Sequence, residues 1–422
     1  MVIETLHAHF LKCESVCTDT RKTSKYCMFF ALKGENFNGN KFAKNAIKEG
    51  AAFAIIDEPE YKINDQYIIV DDVLSALQNL ALFHRKYLNI PIISLTGSNG
   101  KTTTKELINA VLSQTYKTTA TKGNLNNHIG VPLTLLSMNS TTEIGIVEMG
   151  ANHQKEIEFL SNIALPDYGL ITNFGKAHLE GFGGFEGVIK GKTELYNHLK
   201  ANQKIIFVNQ NDELQIKQVG EYNHIETFGF HTELLDSQPY ITLSYKNQII
   251  KTHLTGSYNY NNVCVAIALG KHFNVPTTAI IESIESYIPN NNRSQILEQN
   301  GHQIIMDAYN ANPSSMMAAL SNFDQLNNEH KVVILGDMFE LGKTALEEHQ
   351  QISDLASNLK LKTVIFIGEN FYNIQSKNQD SYYFKSFEDF NTDLGSFNFK
   401  NQLFLIKGSR GMALERVLEY LQ

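Results

Sequence analysis

Residues 90–104, IPIISLTGSNGKTTT, decide the fold class of this chain. An apolar run rich in isoleucine ends at a Gly-rich turn, and a helix-like stretch follows the turn. Glycines let backbone N–H groups curl around phosphate oxygens, and the N-terminus of the following helix adds positive potential. The segment therefore predicts a strand, a phosphate-binding loop and a helix in succession.

The residues of this loop predict how a nucleotide would be held. Lys101 would reach the outer phosphates and the Thr102 hydroxyl would bind Mg²⁺. The strict pattern GxxxxGK[ST] is not satisfied, because Leu95 stands where its first glycine belongs, and the shorter form GxxGKT is present. The alternative is a Gly-rich turn with a solvated lysine, but the combination of strand, loop and Lys-Thr favours phosphate binding. The predicted ATP-contacting residues of the loop are Gly97, Ser98, Asn99, Gly100, Lys101, Thr102 and Thr103.

Similar short apolar runs recur along the chain, and several precede a helix-like pattern. They lie at residues 90–95, 144–147, 168–172, 303–306, 332–335, 364–367 and 403–406. Buried strands that alternate with helices predict an α/β fold with a mostly parallel sheet. In such sheets the chemistry gathers at the carboxyl ends of the strands.

A chain of 422 residues is long enough for about three domains. We predict an N-terminal α/β domain over 1–88, a central ATP-binding domain over 89–290 and a third domain over 291–422. Residues 203–255, rich in Ile, Thr and Tyr, are expected to form strands and hairpins attached to the central domain.

Composition narrows the class of protein. The formal net charge of −8 and the lack of any long Lys/Arg run argue against a surface that coats nucleic acid. The first residues do not resemble a signal peptide, and no apolar run approaches the about 18 residues that cross a membrane. The four cysteines lack paired CxxC spacing, so reduced thiols are favoured over a metal site. We expect a cytoplasmic protein.

Three side chains near predicted strand ends or in a following helix are candidates for binding metal. Glu148 closes a strand near the phosphate loop, although such a carboxylate could simply cap a helix. His178 follows the next strand, and its position beside Glu148 favours a ligand over a structural histidine. Lys192 is by default a surface lysine, and near two metals it would have to be neutralised, for example as a carbamate.

Together these motifs resemble the Mur ligases, ATP-dependent enzymes that build the peptide of bacterial peptidoglycan. TGSNGKTTT is similar to that family's short phosphate loop. The resemblance implies that Glu148 and Thr102 bind one Mg²⁺ together with the ATP phosphates. It also implies that His178 holds a second Mg²⁺ and that Lys192 is carbamylated and helps to place this metal.

Other segments extend the resemblance over nearly the whole chain. TDTR with FFALKGENFNG, TKGNLNNHIGVP, DAYNANPSSMMAAL, LGDMFELG and KGSRGMALE occur in the family's order. They imply a UDP-substrate domain, a central ATP domain and a C-terminal Rossmann-like domain. The implied substrates are UDP-N-acetylmuramoyl-tripeptide and D-alanyl-D-alanine, and we expect a monomer. The implied substrate-binding residues are Thr20, Arg21, Asn124, Asn126, Asn127, Tyr309, Asn310 and Asn312, with Asp307 as a catalytic residue.

Two segments depart from the family pattern. Tyr258 stands where the adenine-side motif has histidine, although Asn259 and Asn262 of that motif remain. Arg293, expected near the γ-phosphate, lacks the preceding Pro-Gly. From the residues alone, Asn312 followed by Pro313 is simply a helix start, with Asn as the N-cap.

The predicted activity is amide-bond formation by way of an acyl phosphate, with ATP and Mg²⁺. A different ligase of the same architecture is the nearest rival, either a folylpolyglutamate synthase or the Mur enzyme that adds the third residue. The latter usually carries Asp-Asn-Pro-Arg where this chain has Asn-Ala-Asn-Pro. Two rivals from different functional classes are a P-loop ATPase switch and an inactive nucleotide-binding scaffold.

Overall fold

A computed structural model describes residues 2–229, 231–290, 292–374 and 381–421. Most of the chain forms three parallel or mostly parallel sheets that follow one another in sequence. Each sheet lies within one of the three predicted domains, but the boundaries after residues 88 and 290 stay predictions. Asn291, the first residue of the predicted third domain, lies outside the described residues.

The first sheet has four parallel strands in the order β1-β2-β5-β6, and a small antiparallel hairpin, β3-β4, lies beside it. Its elements are α1 (Ile3–Phe10), β1 (Ser15–Cys17), β2 (Cys27–Phe30), β3 (Lys33–Gly34), β4 (Phe37–Asn38), α2 (Ala43–Lys48), β5 (Phe53–Ile56), β6 (Tyr67–Ile69) and α3 (Val73–Leu88). Helix α3 begins where the Asp72 carboxylate accepts the Ser75 N–H at 2.7 Å. It ends at Leu88, and the next residue, Asn89, has a left-handed φ of 47°, so the chain turns there into the second sheet.

The second sheet has six parallel strands in the order β12-β11-β10-β7-β9-β8. Its elements are β7 (Ile92–Thr96), α4 (Lys101–Leu112), β8 (Thr118–Ala120), α5 (Gly130–Leu136), β9 (Ile144–Glu148), α6 (Glu156–Ala164), β10 (Tyr168–Ile171), α7 (Leu179–Phe182), α8 (Phe185–Ala201), β11 (Ile205–Asn209), α9 (Glu213–Val219) and β12 (Ile225–Phe228). The chain leaves β7 toward β8 and β9 on one side and later adds β10 on the other. The carboxyl end of β7 is therefore a topological switch point, where such sheets bind ligands.

The segment after β12 differs in part from the sequence-based prediction. Strands β13 (Thr232–Asp236), β14 (Thr242–Tyr245) and β15 (Gln248–Lys251) form the expected antiparallel sheet. The expectation of hairpins was wrong for residues 205–228, because α9 returns the chain and lets β11 and β12 join the main sheet in parallel. Helices α10 (Tyr260–His272) and α11 (Thr277–Ser286) then pack against α4.

The third sheet has six strands in the order β16-β17-β21-β18-β19-β20, with only β16 and β17 antiparallel. Its elements are β16 (Gln295–Gln299), β17 (His302–Asp307), α12 (Pro313–Gln325), β18 (Lys331–Gly336), α13 (Ala345–Ser357), β19 (Thr363–Ile367), α14 (Glu369–Tyr372), β20 (Ser381–Phe384), α15 (Phe387–Asp393) and β21 (Leu403–Lys407).

Buried apolar side chains explain why these runs become strands. Strands β7, β9, β18 and β21 are buried along their whole length, as expected for parallel strands covered on both faces. One cluster of buried residues extends through the first, second and third sheets. All seven apolar runs predicted as strands are strands in the structure. No helix in the described ranges is long and apolar enough to cross a membrane.

Candidate active site

A cleft of about 1120 Å³ lies at the carboxyl end of β7. Leu74 and Gln78 of α3 line it from the first part of the chain, and Lys407 of β21 lines it from the last. The other lining residues come from strand ends, loops and helices within residues 98–262 and from residues 293–318. The cleft therefore combines side chains from all three predicted domains, and its volume suits substrates larger than a nucleotide alone.

Hydrogen bonds join the phosphate loop to the residues that follow β10. The Ser98 N–H donates to the Asn173 carbonyl at 3.1 Å, and the Thr172 hydroxyl donates to the Asn99 carbonyl at 2.6 Å. Gly97 and Gly100 have φ of 145° and 80°, values that only glycine adopts readily. A Cβ at Gly97 would also lie 2.0 Å from the Thr172 hydroxyl oxygen. The loop therefore requires glycine at both positions.

Lys101 begins α4 and folds back over its own loop. Its Nζ donates to the carbonyls of Gly97 at 2.7 Å and Ser98 at 3.1 Å. Burial lowers the pKa of Lys101 to about 8, against an opposing effect of the Glu148 carboxylate, and the Arg293 charge lowers the pKa further. The negative charge near the Lys101 ammonium thus does not offset the cost of its burial, and an anionic ligand would supply more.

Thr102 and Thr103 follow in the first turn of α4 and are both buried. Thr103 lines the cleft, whereas Thr102 does not. Both hydroxyls belong to the first turn of the helix, where the dipole favours negative ligands.

Glu148 carries the observation most specific to a metal. It ends β9, is 1% exposed and still lines the cleft. Its Oε1 accepts a hydrogen bond from the Asn126 amide at 2.8 Å, whereas Oε2 has no hydrogen-bond partner among the described residues. A buried carboxylate oxygen without a partner is costly, and a hard cation such as Mg²⁺ would satisfy it.

His178 lines the cleft near the carboxyl end of β10. Its φ of 53° is left-handed, and its Nδ1 contacts the carboxylate of Glu340 from the third-sheet part of the chain. This contact lowers the pKa of Glu340. A histidine held through Nδ1 by a carboxylate keeps Nε2 for another ligand.

Lys192 lies in α8 and is fully buried. Its Nζ is 3.2 Å from the Ala151 carbonyl oxygen and 4.8 Å from the centroid of the Phe182 ring. Burial, followed by the charge of Lys101, holds the pKa of Lys192 well below its usual range. The side chain is therefore not the solvated lysine that its sequence context suggests, and a neutral amine is the form that reacts with CO₂.

Metal binding here would need more than side-chain carboxylates and imidazoles. In the part of the chain that the structure describes, no group of three or more His, Cys, Asp or Glu side chains is arranged to hold a metal ion. The donor set of a carboxylate, a hydroxyl and phosphate oxygens from a bound nucleotide fits Mg²⁺, which usually relies on substrate phosphates.

Asn259 and Asn262 connect the start of α10 to the phosphate loop. The Asn262 amide donates to Asn259 Oδ1 at 2.8 Å, and Asn262 Oδ1 accepts the Thr104 hydroxyl at 3.0 Å. Tyr258 lines the cleft beside them, and its hydroxyl lies 2.7 Å from the Ser294 hydroxyl. Burial raises the pKa of Tyr258. The tyrosine that replaces the family's histidine is thus part of the same cleft.

Arg293 reaches the cleft without the expected Pro-Gly. Its guanidinium lies 3.8 Å from the centroid of the Tyr309 ring, a stacking contact that orients it. Its Nε is buried without a hydrogen-bond partner among the described residues. The Nε–H group of Arg293 is thus available to donate a hydrogen bond to an anion.

Asp307 ends β17 and is held by two partners. Its carboxylate accepts the Lys407 ammonium at 2.5 Å and the Ser294 N–H at 3.0 Å. Asn310 lies close by and also lines the cleft.

Asn312 links the third-sheet part of the chain to the phosphate loop. It caps α12, because its Oδ1 accepts the Ser315 N–H at 2.9 Å, which confirms the predicted helix start. Its Nδ2 donates to Asn99 Oδ1 at 2.7 Å. Lys176 adds two bonds between the same parts, from its N–H to the Ser314 hydroxyl at 2.9 Å and from its ammonium to Glu348 at 2.6 Å.

The remaining predicted residues divide into two groups. Asn124, Asn126 and Asn127 line the cleft, and Asn127 Oδ1 caps the start of α5 by accepting the Gly130 N–H at 2.9 Å. Thr20 and Arg21 do not line the cleft, and Arg21 is bound to Asp19 by a 2.8 Å ion pair at the protein surface.

Sequence reasoning missed several residues of this region. Lys155, Glu156 and Phe159 line the cleft from the start of α6, where a mixed polar and apolar pattern is ordinary for a surface helix. Glu340 and Lys407 were named from the sequence as part of the motifs LGDMFELG and KGSRGMALE, but no role in the site was assigned to either residue.

Three models of Mur ligase domains match successive parts of this chain. Residues 12–96 match the catalytic domain of the Mur ligase family, 95–270 the Mur ligase middle domain, and 292–410 the Mur ligase glutamate ligase domain. The UDP-N-acetylmuramoyl-tripeptide--D-alanyl-D-alanine ligase of Bacillus subtilis (strain 168) is 34% identical over 423 residues, covering 96% of this chain and 92% of that protein.

Solved structures are similar over the same length. MurF from Acinetobacter baumannii superposes with a TM-score of 0.86 at 30% identity, covering 99% of this chain and 98% of that one. MurF ligase from Thermotoga maritima, in complex with ADP, gives a TM-score of 0.82 at 26% identity and covers 97% of each chain. The family matches and the similar structures both extend over the three sheets and the cleft. This chain belongs to the Mur ligase family of ATP-dependent ligases.

Proposed function

We propose that this chain joins D-alanyl-D-alanine to UDP-N-acetylmuramoyl-tripeptide, with ATP converted to ADP and phosphate, in peptidoglycan precursor synthesis. The observation that carries the proposal is one cleft that combines three features: a phosphate loop, the Oε2 of Glu148 without a hydrogen-bond partner among the described residues, and side chains from all three predicted domains. The name of the B. subtilis relative, which matches nearly the whole chain, supports this pair of substrates.

ATP would bind at the carboxyl end of β7. The loop N–H groups and Lys101 would hold its phosphates, and Arg293 would approach the γ-phosphate with its free Nε. Asn259 and Asn262 would lie on the adenosine side with Tyr258. The lowered pKa of Lys101 supports this arrangement, because phosphate oxygens would supply the counter-charge that the loop lacks.

Mg²⁺ would be held by Glu148 and Thr102 in one site and by His178 with the carbamate of Lys192 in a second. When bound, Mg²⁺ would offset the repulsion between the nucleotide phosphates and the substrate carboxylate. The buried Oε2 of Glu148 and the lowered pKa of Lys192 support these assignments.

The substrates would occupy the rest of the cleft and the surface beside it. Asp307, fixed by Lys407, would orient the incoming amine. The proposed contacts are Asn124, Asn126 and Asn127 for the muramyl part, Tyr309, Asn310 and Asn312 for the dipeptide side, and Thr20 and Arg21 for the uridine side.

The reaction follows from this placement. The terminal carboxylate of the tripeptide attacks the γ-phosphorus of ATP, which gives an acyl phosphate and ADP. The amine of D-alanyl-D-alanine then attacks the acyl carbon, and phosphate leaves. The contacts of Asn312, Lys176 and Glu340 across the cleft would keep it closed and exclude water, which would otherwise hydrolyse the acyl phosphate.

The experiment is phosphate release by the purified chain with ATP and Mg²⁺, with each substrate added separately and then together. Release that needs both substrates, together with the mass of the UDP-linked pentapeptide, is the expected result. Steady release without substrates would instead indicate an ATPase switch.

We also propose that the chain works as a monomer in the cytoplasm. The cleft is lined within one chain, so the reaction needs no second copy. The four cysteines are free thiols, in keeping with a reducing compartment.

A further inference from the structure

Two cysteine sulfurs meet in the first sheet, away from the cleft. Cys17 ends β1 and Cys27 begins β2, and the two strands are parallel neighbours. Their Sγ atoms are 3.1 Å apart, and both are free thiols. A disulfide bond measures about 2.05 Å, so a movement of about 1 Å would bring the sulfurs to bonding distance.

The surroundings of the two sulfurs favour the thiolate form of one of them. Cys27 is buried and Cys17 is partly exposed, so a small oxidant can approach from the side of Cys17. The hydrogen bond between the two thiols lowers the pKa of one sulfur, that of Cys27, and raises the pKa of the other, that of Cys17. A thiolate in contact with a second thiol is the arrangement that forms disulfides.

The other two cysteines lack this arrangement. Burial raises the pKa of Cys13 to about 11 and also raises that of Cys264. Cys264 is buried in α10, where its sulfur contacts the Thr232 hydroxyl at 3.3 Å. Cys264 serves as an internal control for the reactivity of the pair, whereas Cys13, whose pKa the charge of Cys27 also raises, tests whether a third sulfur competes.

We propose that Cys17 and Cys27 form a reversible disulfide when the protein meets an oxidant of the hydroperoxide class. One sulfur of the pair, as its thiolate, attacks the peroxide oxygen, which gives a sulfenic acid and releases water or an alcohol. The thiol of the other cysteine then attacks the sulfenic sulfur, and a molecule of water leaves. Two thiols and one hydroperoxide thus give one disulfide, and the peroxide carries away the two electrons.

The new bond would close a ring around residues 18–26. This loop holds the turn in which Asp19 binds the Arg21 side chain at 2.8 Å and its N–H at 3.0 Å. Resting on the proposed function, in which Thr20 and Arg21 contact the uridine side, the ring would stiffen a substrate loop. We expect the KM for the UDP-linked tripeptide to rise after oxidation, while the KM for ATP stays the same.

The test treats the full-length protein with hydrogen peroxide, blocks remaining thiols with N-ethylmaleimide and maps the peptides by mass spectrometry. We expect free thiols to fall from four to two, with a peptide that links Cys17 to Cys27 at a mass two hydrogens lower. Dithiothreitol should restore all four thiols. The variant Cys264→Ser should form the same link, and Cys17→Ser should form none.

Each result decides a separate part of the inference. A fully alkylated Cys17 and Cys27, a link through Cys13, or overoxidation to sulfinic acid would overturn the thiol pair. A disulfide that leaves the KM for the UDP-linked substrate unchanged would overturn its effect on substrate binding. Failure of the proposed function would show separately, as absence of ligation by the fully reduced protein.

Discussion

Replacement of Asn312 separates two roles that the structure gives to one side chain. Its Oδ1 caps α12 through the Ser315 N–H, and its Nδ2 joins the phosphate loop through Asn99. Loss of an Asn N-cap costs about 1 kcal/mol and loss of a hydrogen bond about 1 kcal/mol more. Asn312→Ala should therefore lower the free energy of unfolding by about 2 kcal/mol.

The matched variant Asn312→Ser keeps a capping oxygen on a side chain too short to reach Asn99. Its stability should fall by no more than about 1 kcal/mol, whereas kcat/KM should fall by up to about fivefold if the lost bond stabilises the closed cleft. Asn99→Ala should lower kcat/KM to a similar degree and leave the cap intact.

Urea denaturation and ligase kinetics on these variants and on the double variant Asn99→Ala/Asn312→Ser provide the measurement. The loss of activity in the double variant should be smaller than the sum of the two single losses, because both changes remove the same contact. Additive losses in the double variant, or equal destabilisation by Asn312→Ser and Asn312→Ala, would refute the reasoning.

Three further predictions concern buried ionisable groups. Glu148→Gln should lower kcat by about 100-fold or more in steady-state assays and weaken the dependence on Mg²⁺, because it removes the charge at Oε2, which has no hydrogen-bond partner among the described residues. Glu158→Gln, at a half-exposed carboxylate that pairs with Lys155, should change neither. Lys192→Met should abolish ligation without lowering the thermal unfolding midpoint, and a ¹³C-bicarbonate carbamate signal seen by NMR in the unaltered protein should be absent. His7 and His84 share a buried 3.0 Å hydrogen bond, and burial lowers the pKa of both. Below about pH 6.5 the unfolded chain therefore binds protons that the folded chain does not, so the free energy of unfolding should fall as the pH is lowered. His84→Gln should make this fall smaller. Urea midpoints measured between about pH 7.5 and 5.5, which brackets the pKa of an ordinary histidine, provide the measurement.

The strand framework was predictable because buried parallel strands are continuous apolar runs. Each of the seven runs is followed by a polar residue or a glycine, and the structure ends its strands within a residue or two of the predicted positions. Glu148 could be selected in the same way, since a carboxylate that directly follows IGIV must stand at a strand end. The start of α12 was readable from Asn312 and Pro313, because capping is local chemistry.

Contacts between distant parts of the chain could not be read in this way. Asn99 and Asn312 are 213 residues apart, and no local pattern records that their amides meet. The burial of Lys192 depends on how α8 packs, and its sequence context alone suggests a solvated lysine. Glu340 reaches His178 only because the third sheet faces the second. Tertiary packing decides all three, so the resemblance to a family supplied what periodicity could not.

The measurement that tests the central claim most directly follows oxygen from the substrate carboxylate. UDP-N-acetylmuramoyl-tripeptide labelled with ¹⁸O in its terminal carboxylate would be converted with ATP and D-alanyl-D-alanine, and the released phosphate would be analysed by mass spectrometry. Activation as an acyl phosphate predicts one ¹⁸O atom in each phosphate formed. Phosphate without the label, released while the pentapeptide accumulates, would contradict the account.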